Sequence, residues 1–147
     1  MTDSEIKVST VDIPKVEIAK SMEEAQRIAS ETNKQILLLF TTYAGNSKSQ
    51  TWQTLKINKI NSKLSKDFVL LELITDDRTP LKEKQYTDEG KEILTVGQLN
   101  LNFQKSEFEV NAQPYCVILN SKLQRVGMPE FYVSPEKVNK FLYFLNQ

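Results

Sequence analysis

The sequence contains no histidine and only one cysteine, Cys116, in 147 residues. The absence of histidine excludes the usual general base, the usual zinc ligand and every nucleophile that depends on a histidine for activation. A single cysteine forms neither an intramolecular disulfide nor a two-thiol redox motif. Any catalysis by this chain would therefore depend on carboxylates, lysines, tyrosines or a lone thiol.

An excess of charge is also absent, because 19 lysines and arginines balance 19 aspartates and glutamates. Neither sign forms a long block, so the electrostatic footprint of a nucleic-acid or anionic-lipid partner is missing. No apolar run approaches the length that crosses a bilayer, and residues 1–12 lack the pattern of a signal peptide. We expect one soluble globular domain that binds no nucleic acid and does not insert into a membrane; the compartment stays open.

The first half of the chain predicts alternating helices and strands. After an extended lead-in over residues 1–15, Ser21 and Glu24 stand three apart as a capping box that begins a helix. A continuous apolar run at residues 36–40 predicts a central strand that is covered on both faces. Helical spacing and a second apolar run then predict another helix and another strand. The predicted helices span residues 21–31, with Asn33 as the stop, and residues 49–59. The predicted strands span residues 36–40 and 68–74.

The second half predicts an insertion followed by a helix, a hairpin and a last helix. Residues 81–95 are polar and predict an inserted loop or hairpin, with a turn at Asp88, Glu89 and Gly90. This order implies an α/β fold with three α/β/α layers and a mixed central sheet, in one domain over residues 16–147. After the insertion, a helix is predicted for residues 96–108. Two strands, 115–119 and 123–126, are joined by a turn at Asn120–Ser121. The last helix has Ser134 as its N-cap and Pro135 as its first residue.

Several ordered segments resemble the thioredoxin-like domain at the C-terminal end of bacterial membrane thiol:disulfide interchange proteins of the DsbD type. These segments are LLLFTTY, a tryptophan in the next helix, FVLLELITDDRTPL, TVGQLNLNFQKSEFEVNAQPYCVIL and SPEKVNKFLYFL. The resemblance runs from about Val16 to the end of the chain. It implies a thioredoxin-like fold, a periplasmic or cell-envelope setting, and a place in a larger membrane-associated protein.

Members of that family carry Cys-x-x-Cys at the start of the helix after the first central strand. Unpaired amides and the helix dipole favour a thiolate there. Alignment on the FTTY segment places Gly45 and Lys48 at the two cysteine positions, with Asn46 and Ser47 between them. Because neither replacement forms a mixed disulfide, the resemblance implies a redox-inactive domain without a cofactor, whose partner is a protein or an extended peptide.

A second part of the family's site matches Gln113 and Pro114, where thioredoxin-fold proteins carry a cis-proline that faces the redox loop and borders the bound peptide. The resemblance therefore implies a retained peptide groove, and the alternative is a turn that merely starts the next strand. The candidate binding residues are Tyr43, Gly45, Asn46, Ser47, Lys48, Gln113 and Pro114.

Two alternative functions depend on single features. Cys116, or thiols supplied by a partner, would make the chain an active oxidoreductase, although a small buried core side chain is the plainer interpretation of this cysteine. Residues 45–48 would bind a small anion at the helix start with the help of the Lys48 ammonium, whereas a solvated loop lysine is the plainer interpretation.

Two further groups of residues suggest ligands only weakly. Asp76 and Asp77 beside Arg78 fit a strand end with a local ion pair better than a metal site, because no further ligands stand at fixed spacing. We therefore predict no metal. Three aromatic residues at helical positions fit core packing better than ligand stacking: Trp52, Phe103 and Phe108.

Overall fold

The computed structural model describes residues 15–147, so the predicted lead-in lies outside the described residues apart from Lys15. The helices and strands alternate for most of the chain. In chain order they are β1 (Glu17–Ile18), α1 (Met22–Thr32), β2 (Gln35–Thr41), α2 (Ser47–Leu55), α3 (Asn58–Asp67), β3 (Phe68–Ile74), β4 (Pro80–Tyr86), β5 (Glu92–Thr95), α4 (Val96–Phe108), β6 (Tyr115–Leu119), β7 (Arg125–Glu130), a 3-10 turn (Pro135–Lys137) and α5 (Val138–Leu145).

A five-stranded mixed sheet forms the middle layer, in the order β1-β3-β2-β6-β7. Strand β2 lies at its centre, parallel to β3 and antiparallel to β6, so that Leu38 is opposite both Leu71 and Val117. Its side chains alternate between two cores: Leu37 and Leu39 face α2, α3 and α5, whereas the neighbouring positions face α1 and α4. This arrangement confirms the predicted three-layer α/β/α fold with a mixed sheet.

Local signals explain where α1 begins and ends. The Ser21 hydroxyl accepts a hydrogen bond from the Glu24 backbone N–H at 3.1 Å, and the Glu24 carboxylate accepts one from the Lys20 N–H at 2.7 Å. Asn33 ends the helix in the left-handed region with φ 56°. The capping box and the stop residue are therefore where the sequence predicts them.

The single helix predicted for residues 49–59 is wrong, because α2 ends at Leu55 and α3 begins at Asn58. Ile57 adopts an extended conformation between the two helices. On one continuous helix, Leu55 and Ile60 would point about 140° apart, since they are five residues apart. The break allows both side chains to enter the same core cluster.

The predicted insertion is a hairpin of β4 and β5 with Gly90 in its turn at φ 85°, as the sequence indicates. Two other boundaries differ from the prediction. The last strand begins at Arg125 rather than 123, because Leu123 has φ 64° and belongs to the turn. Ser134 precedes a 3-10 turn without a side-chain capping bond, and the α-helix starts three residues later than predicted. Between residues 15 and 147, no helix is both long enough and apolar enough to span a bilayer.

Candidate functional site

The loop between β2 and α2 is fixed from both sides. The Asp76 carboxylate, which follows β3, accepts hydrogen bonds from the backbone N–H groups of Tyr43 at 2.7 Å and Ala44 at 3.0 Å. The Ser47 hydroxyl accepts one from the Thr42 N–H at 2.9 Å. The bonds from Ala44 and Tyr43 lower the pKa of Asp76 below its ordinary value, because they stabilise the ionised form. Asp76 therefore anchors the loop as a carboxylate.

Lys48 and Glu72 form an ion pair beneath this loop. The Lys48 Nζ lies 2.7 Å from Glu72 Oε1, with the two side chains 35% and 13% exposed. Glu72 Oε2 also accepts hydrogen bonds from Thr41 Oγ1 at 2.7 Å and from Trp52 Nε1 at 3.0 Å. The expectation that Lys48 is a solvated loop residue is therefore wrong, because a largely buried carboxylate fixes its ammonium.

The pairing of Lys48 with Glu72 limits what the helix start can do. The ammonium also lies 5.9 Å from the Tyr43 ring centroid and 5.8 Å from the Trp52 ring centroid. Since Glu72 already neutralises it, Lys48 does not supply the uncompensated positive charge that the small-anion hypothesis requires. Gly45 contributes no side chain and has φ 75°. The positions aligned with the family's cysteines thus hold a paired ammonium and a bare backbone.

Cys116 is fully buried on β6, in the core cluster that α2, α3 and α5 cover. Burial raises the pKa of its thiol far above the ordinary value, and the negative charge of Glu130 acts in the same direction. The structure agrees with a core cysteine. An oxidoreductase that uses Cys116 would need an exposed thiol, which the fold does not provide.

The acidic residues after β3 stabilise local structure. Asp77 accepts a hydrogen bond from the Thr79 N–H at 2.9 Å, and the bonds from Thr79 lower the pKa of Asp77. Arg78 makes no salt bridge within residues 15–147, so the predicted local ion pair does not form at contact distance, although the charge of Arg78 also lowers the pKa of Asp76. The same residues hold no group of three or more potential metal ligands.

An open groove of about 260 Å³ lies beside Pro114, and the peptide bond between Gln113 and Pro114 is cis. One wall is the start of α2, with Asn46, Ser47 and Gln50. The opposite wall comes from the segment 131–137, which connects β7 to α5. The groove therefore joins three parts of the chain that are far apart in the sequence.

Gln113 belongs to the support of the groove rather than to its lining. Its side-chain amide donates a hydrogen bond to Gln104 Oε1 at 2.8 Å, and Gln104 Nε2 donates one to the Ala112 carbonyl at 2.9 Å. Gln104 is fully buried on α4. These two amides attach the loop before Pro114 to the helix behind it.

Six of the seven candidate binding residues divide between two neighbouring surfaces, and Gln113 lines neither. Asn46, Ser47 and Pro114 line the groove. Tyr43, Gly45 and Lys48 line a separate shallow depression together with Ser49 and Trp52. Their part in binding stays a prediction.

Sequence reasoning missed the segment 131–137 and Glu72. The signal for Glu72 was its position as the one acidic residue in the apolar run FVLLELI. The aromatic pair Phe131 and Tyr132, just before Ser134, was the signal for the groove wall. Of the three aromatic residues assigned to the core, Phe108 is buried, Phe103 is partly buried, and Trp52 is half-buried with its indole N–H bound to Glu72.

Neither protein-family models nor curated proteins match this sequence. Solved structures do match. A thioredoxin from Thermus thermophilus has TM-score 0.61 and 19% identity, covering 90% of this chain and 85% of its own. A DsbH oxidoreductase has TM-score 0.59 and 17% identity, covering 91% and 88%. A disulphide isomerase from Xylella fastidiosa Temecula1 has TM-score 0.60 and 13% identity, covering 85% and 88%. These similarities show a thioredoxin-like fold, while the finer relation to the DsbD type stays a prediction.

Proposed function

We propose that this chain is a redox-inactive thioredoxin-like domain that binds an extended segment of a protein partner in the groove beside Pro114. The observation that carries the proposal is the pairing of Lys48 with Glu72 at the aligned thiol position, next to a groove that stays open. A lysine–glutamate pair keeps the helix start ordered without any capacity for thiol exchange. The function that remains for the groove and the helix start is binding of a protein partner.

The groove has the features of a peptide-binding surface. Phe131 is 37% exposed and its ring packs 5.0 Å from the ring centroid of buried Tyr115, so it is both accessible and fixed. Tyr132 is 64% exposed on the same wall. Aromatic side chains that are held in place lose little entropy on binding and bury much apolar area, so they are suited to contact a peptide.

The known proteins of similar fold support the proposal that this domain is related to thiol:disulfide oxidoreductases. They are a thioredoxin, an oxidoreductase and a disulphide isomerase, and all three names denote thiol:disulfide chemistry. Together with the segments TDDRTPL and NAQPY, this supports a relation to the DsbD-type C-terminal domain in which both cysteines have been replaced. A bacterial cell-envelope setting and a larger membrane-associated protein are part of the same proposal.

The test is selection of short linear peptides from a random displayed library, followed by affinity measurements on groove variants. Gln50→Trp places an indole in the groove and is expected to weaken the selected peptides by about tenfold or more, because it occupies the contact volume. Gln53→Trp is the matched control. It makes the same change on an exposed position of α2 that does not line the groove, and binding should be unchanged.

Two results would contradict the proposal. One is a selection that yields no peptide above background. The other is a set of peptides that bind the Gln50→Trp variant as tightly as the original chain, which would place their binding site elsewhere. Circular dichroism of both variants checks that the added indole leaves the fold intact.

A further inference from the structure

We propose that the groove beside Pro114 prefers an acidic segment of the partner, with a carboxylate of that segment bound against Lys137. This inference rests on the proposed peptide-binding function and specifies the chemistry of the ligand. It comes from the distribution of charge along the wall that the segment 131–137 forms.

Lys137 is the charged residue that lines the groove, and no acidic side chain accompanies it there. Within residues 15–147 it has no carboxylate partner within 4.0 Å. Lys140 lies nearby, and its ammonium pairs with Glu130 Oε2 at 3.4 Å. Lys137 is therefore the charged side chain that the groove lining offers to a ligand, although the whole chain has no net charge.

Glu130 does not neutralise Lys137, because its carboxylate is already used within the fold. Besides Lys140, Glu130 Oε2 accepts hydrogen bonds from the Phe131 N–H at 2.9 Å and the Tyr132 N–H at 3.0 Å. Its side chain is only 9% exposed. This carboxylate fixes the backbone of the groove wall and faces inward, so the charge offered to a ligand is that of Lys137.

Tyr132 holds the two lysines at the groove edge. The Lys137 Nζ lies 5.3 Å from the Tyr132 ring centroid, and the Lys140 Nζ lies 4.8 Å from it. Contact with the electron-rich ring face limits the conformations of two otherwise flexible side chains. An ammonium group that is held in place before binding loses less conformational entropy when it binds a carboxylate. An acidic peptide therefore binds more tightly to it than to a freely moving surface lysine.

The test compares the amino-acid composition of peptides that are selected in parallel by the original chain, by Lys137→Glu and by Lys84→Glu. We expect aspartate and glutamate to be enriched with the original chain, and this enrichment to be lost or replaced by lysine and arginine with Lys137→Glu. Lys84→Glu makes the same charge change on exposed strand β4, which does not line the groove, and should keep the acidic preference. An individual acidic peptide should bind Lys137→Glu about fivefold more weakly.

The outcomes separate this inference from the proposed function. Selected peptides without acidic enrichment that still lose binding with Gln50→Trp would overturn the acidic preference and leave the groove as the binding site. An acidic preference that Lys137→Glu retains would overturn the role of Lys137. Peptides that are insensitive to Gln50→Trp would overturn both. The affinity for acidic peptides should also fall with added salt, since the lysine is near the surface.

Discussion

Glu72 accepts hydrogen bonds from Lys48, Thr41 and Trp52, which lie on β2 and α2. A carboxylate that is mostly removed from water is stable only when its oxygens have such partners. Glu72 thereby links the strand end to the helix that follows the loop. This is the physical reason why a charged residue is tolerated in the otherwise apolar strand β3.

We predict that Lys48→Met lowers the free energy of unfolding by about 1 to 2 kcal/mol, because it leaves the Glu72 carboxylate without its positive partner. The double variant Lys48→Met/Glu72→Gln should lose less than the sum of the single variants, since a neutral amide tolerates the loss better. Urea denaturation monitored by circular dichroism measures all three variants.

The control is Lys63→Met, which breaks an ion pair of the same 2.7 Å length on α3, where the side chain of Asp67 is 37% exposed against 13% for Glu72. Exposed pairs one turn apart on a helix contribute only about 0.3 to 0.5 kcal/mol. Equal losses for Lys48→Met and Lys63→Met would show that the pair with Glu72 behaves as an ordinary surface contact.

A single residue at the candidate site was predictable only where its side-chain chemistry or its alignment with the family's motif indicated a role. The resemblance placed Gly45 and Lys48 at the helix start, and the structure places them there too. It did not predict that Lys48 would pair with Glu72, because the two residues are 24 positions apart and meet only when β3 lies parallel to β2. Lys137 was missed for the same reason, since its neighbours in the groove come from distant segments.

At the scale of elements, the junction of β3 and α4 depends on Gly97. A Cβ atom at this position would lie 2.5 Å from the Asp77 backbone N, and the Gly97 N–H donates a hydrogen bond to the Asp77 carbonyl at 2.8 Å. The first turn of α4 is thus in direct contact with the backbone after β3. Only glycine permits this approach, which closes the base of the inserted hairpin.

Gly97→Ala is expected to destabilise the fold by about 1 to 3 kcal/mol, because the contact is with backbone that cannot rotate away. Gly90→Ala makes the same substitution in the hairpin turn, where the added methyl meets open space but φ is 85°. Its cost should be smaller, about 1 kcal/mol, and purely conformational. Thermal unfolding of both variants provides the comparison, and a larger loss for Gly90→Ala would contradict this account of the junction.

The types of the elements were more predictable than their boundaries. Apolar runs identified β2 and β3 because strands that are buried on both faces need continuous apolar sequence. Helical spacing did not reveal the break at Ile57, since periodicity over a few turns is insensitive to a two-residue interruption. The start of β7 depended on the backbone of Leu123, which turn residues alone did not indicate.

At the scale of the whole molecule, the layer order followed from the order of helices and strands along the sequence, since few topologies accommodate that order. The groove did not follow, since it arises where α2, the loop before β6 and the segment 131–137 meet. A resemblance to a family predicted the first two parts through Asn46, Ser47 and Pro114. The third part had no such guide, and only its contacts show that it completes the groove.

The cysteine content of this sequence also determines the expected redox behaviour. Its one sulfhydryl is Cys116, which lies inside the core, so no thiolate reaches the surface where a disulfide substrate would bind. We predict that the protein does not accelerate the reduction of insulin by dithiothreitol above the rate without protein. Cys116→Ser should behave identically, and a thioredoxin with an intact dithiol serves as the positive control.

A second measurement keeps this prediction independent of how well Cys116→Ser folds. In the native chain, a water-soluble thiol reagent should label Cys116 only slowly, because labelling requires opening of the core, whereas denaturant should expose the thiol to immediate reaction. Rapid labelling of the native chain, or insulin reduction that Cys116→Ser abolishes, would show that β6 opens far enough to present a reactive sulfur. Rapid labelling would overturn the burial of Cys116, and insulin reduction that depends on Cys116 would show that the chain is a monothiol oxidoreductase.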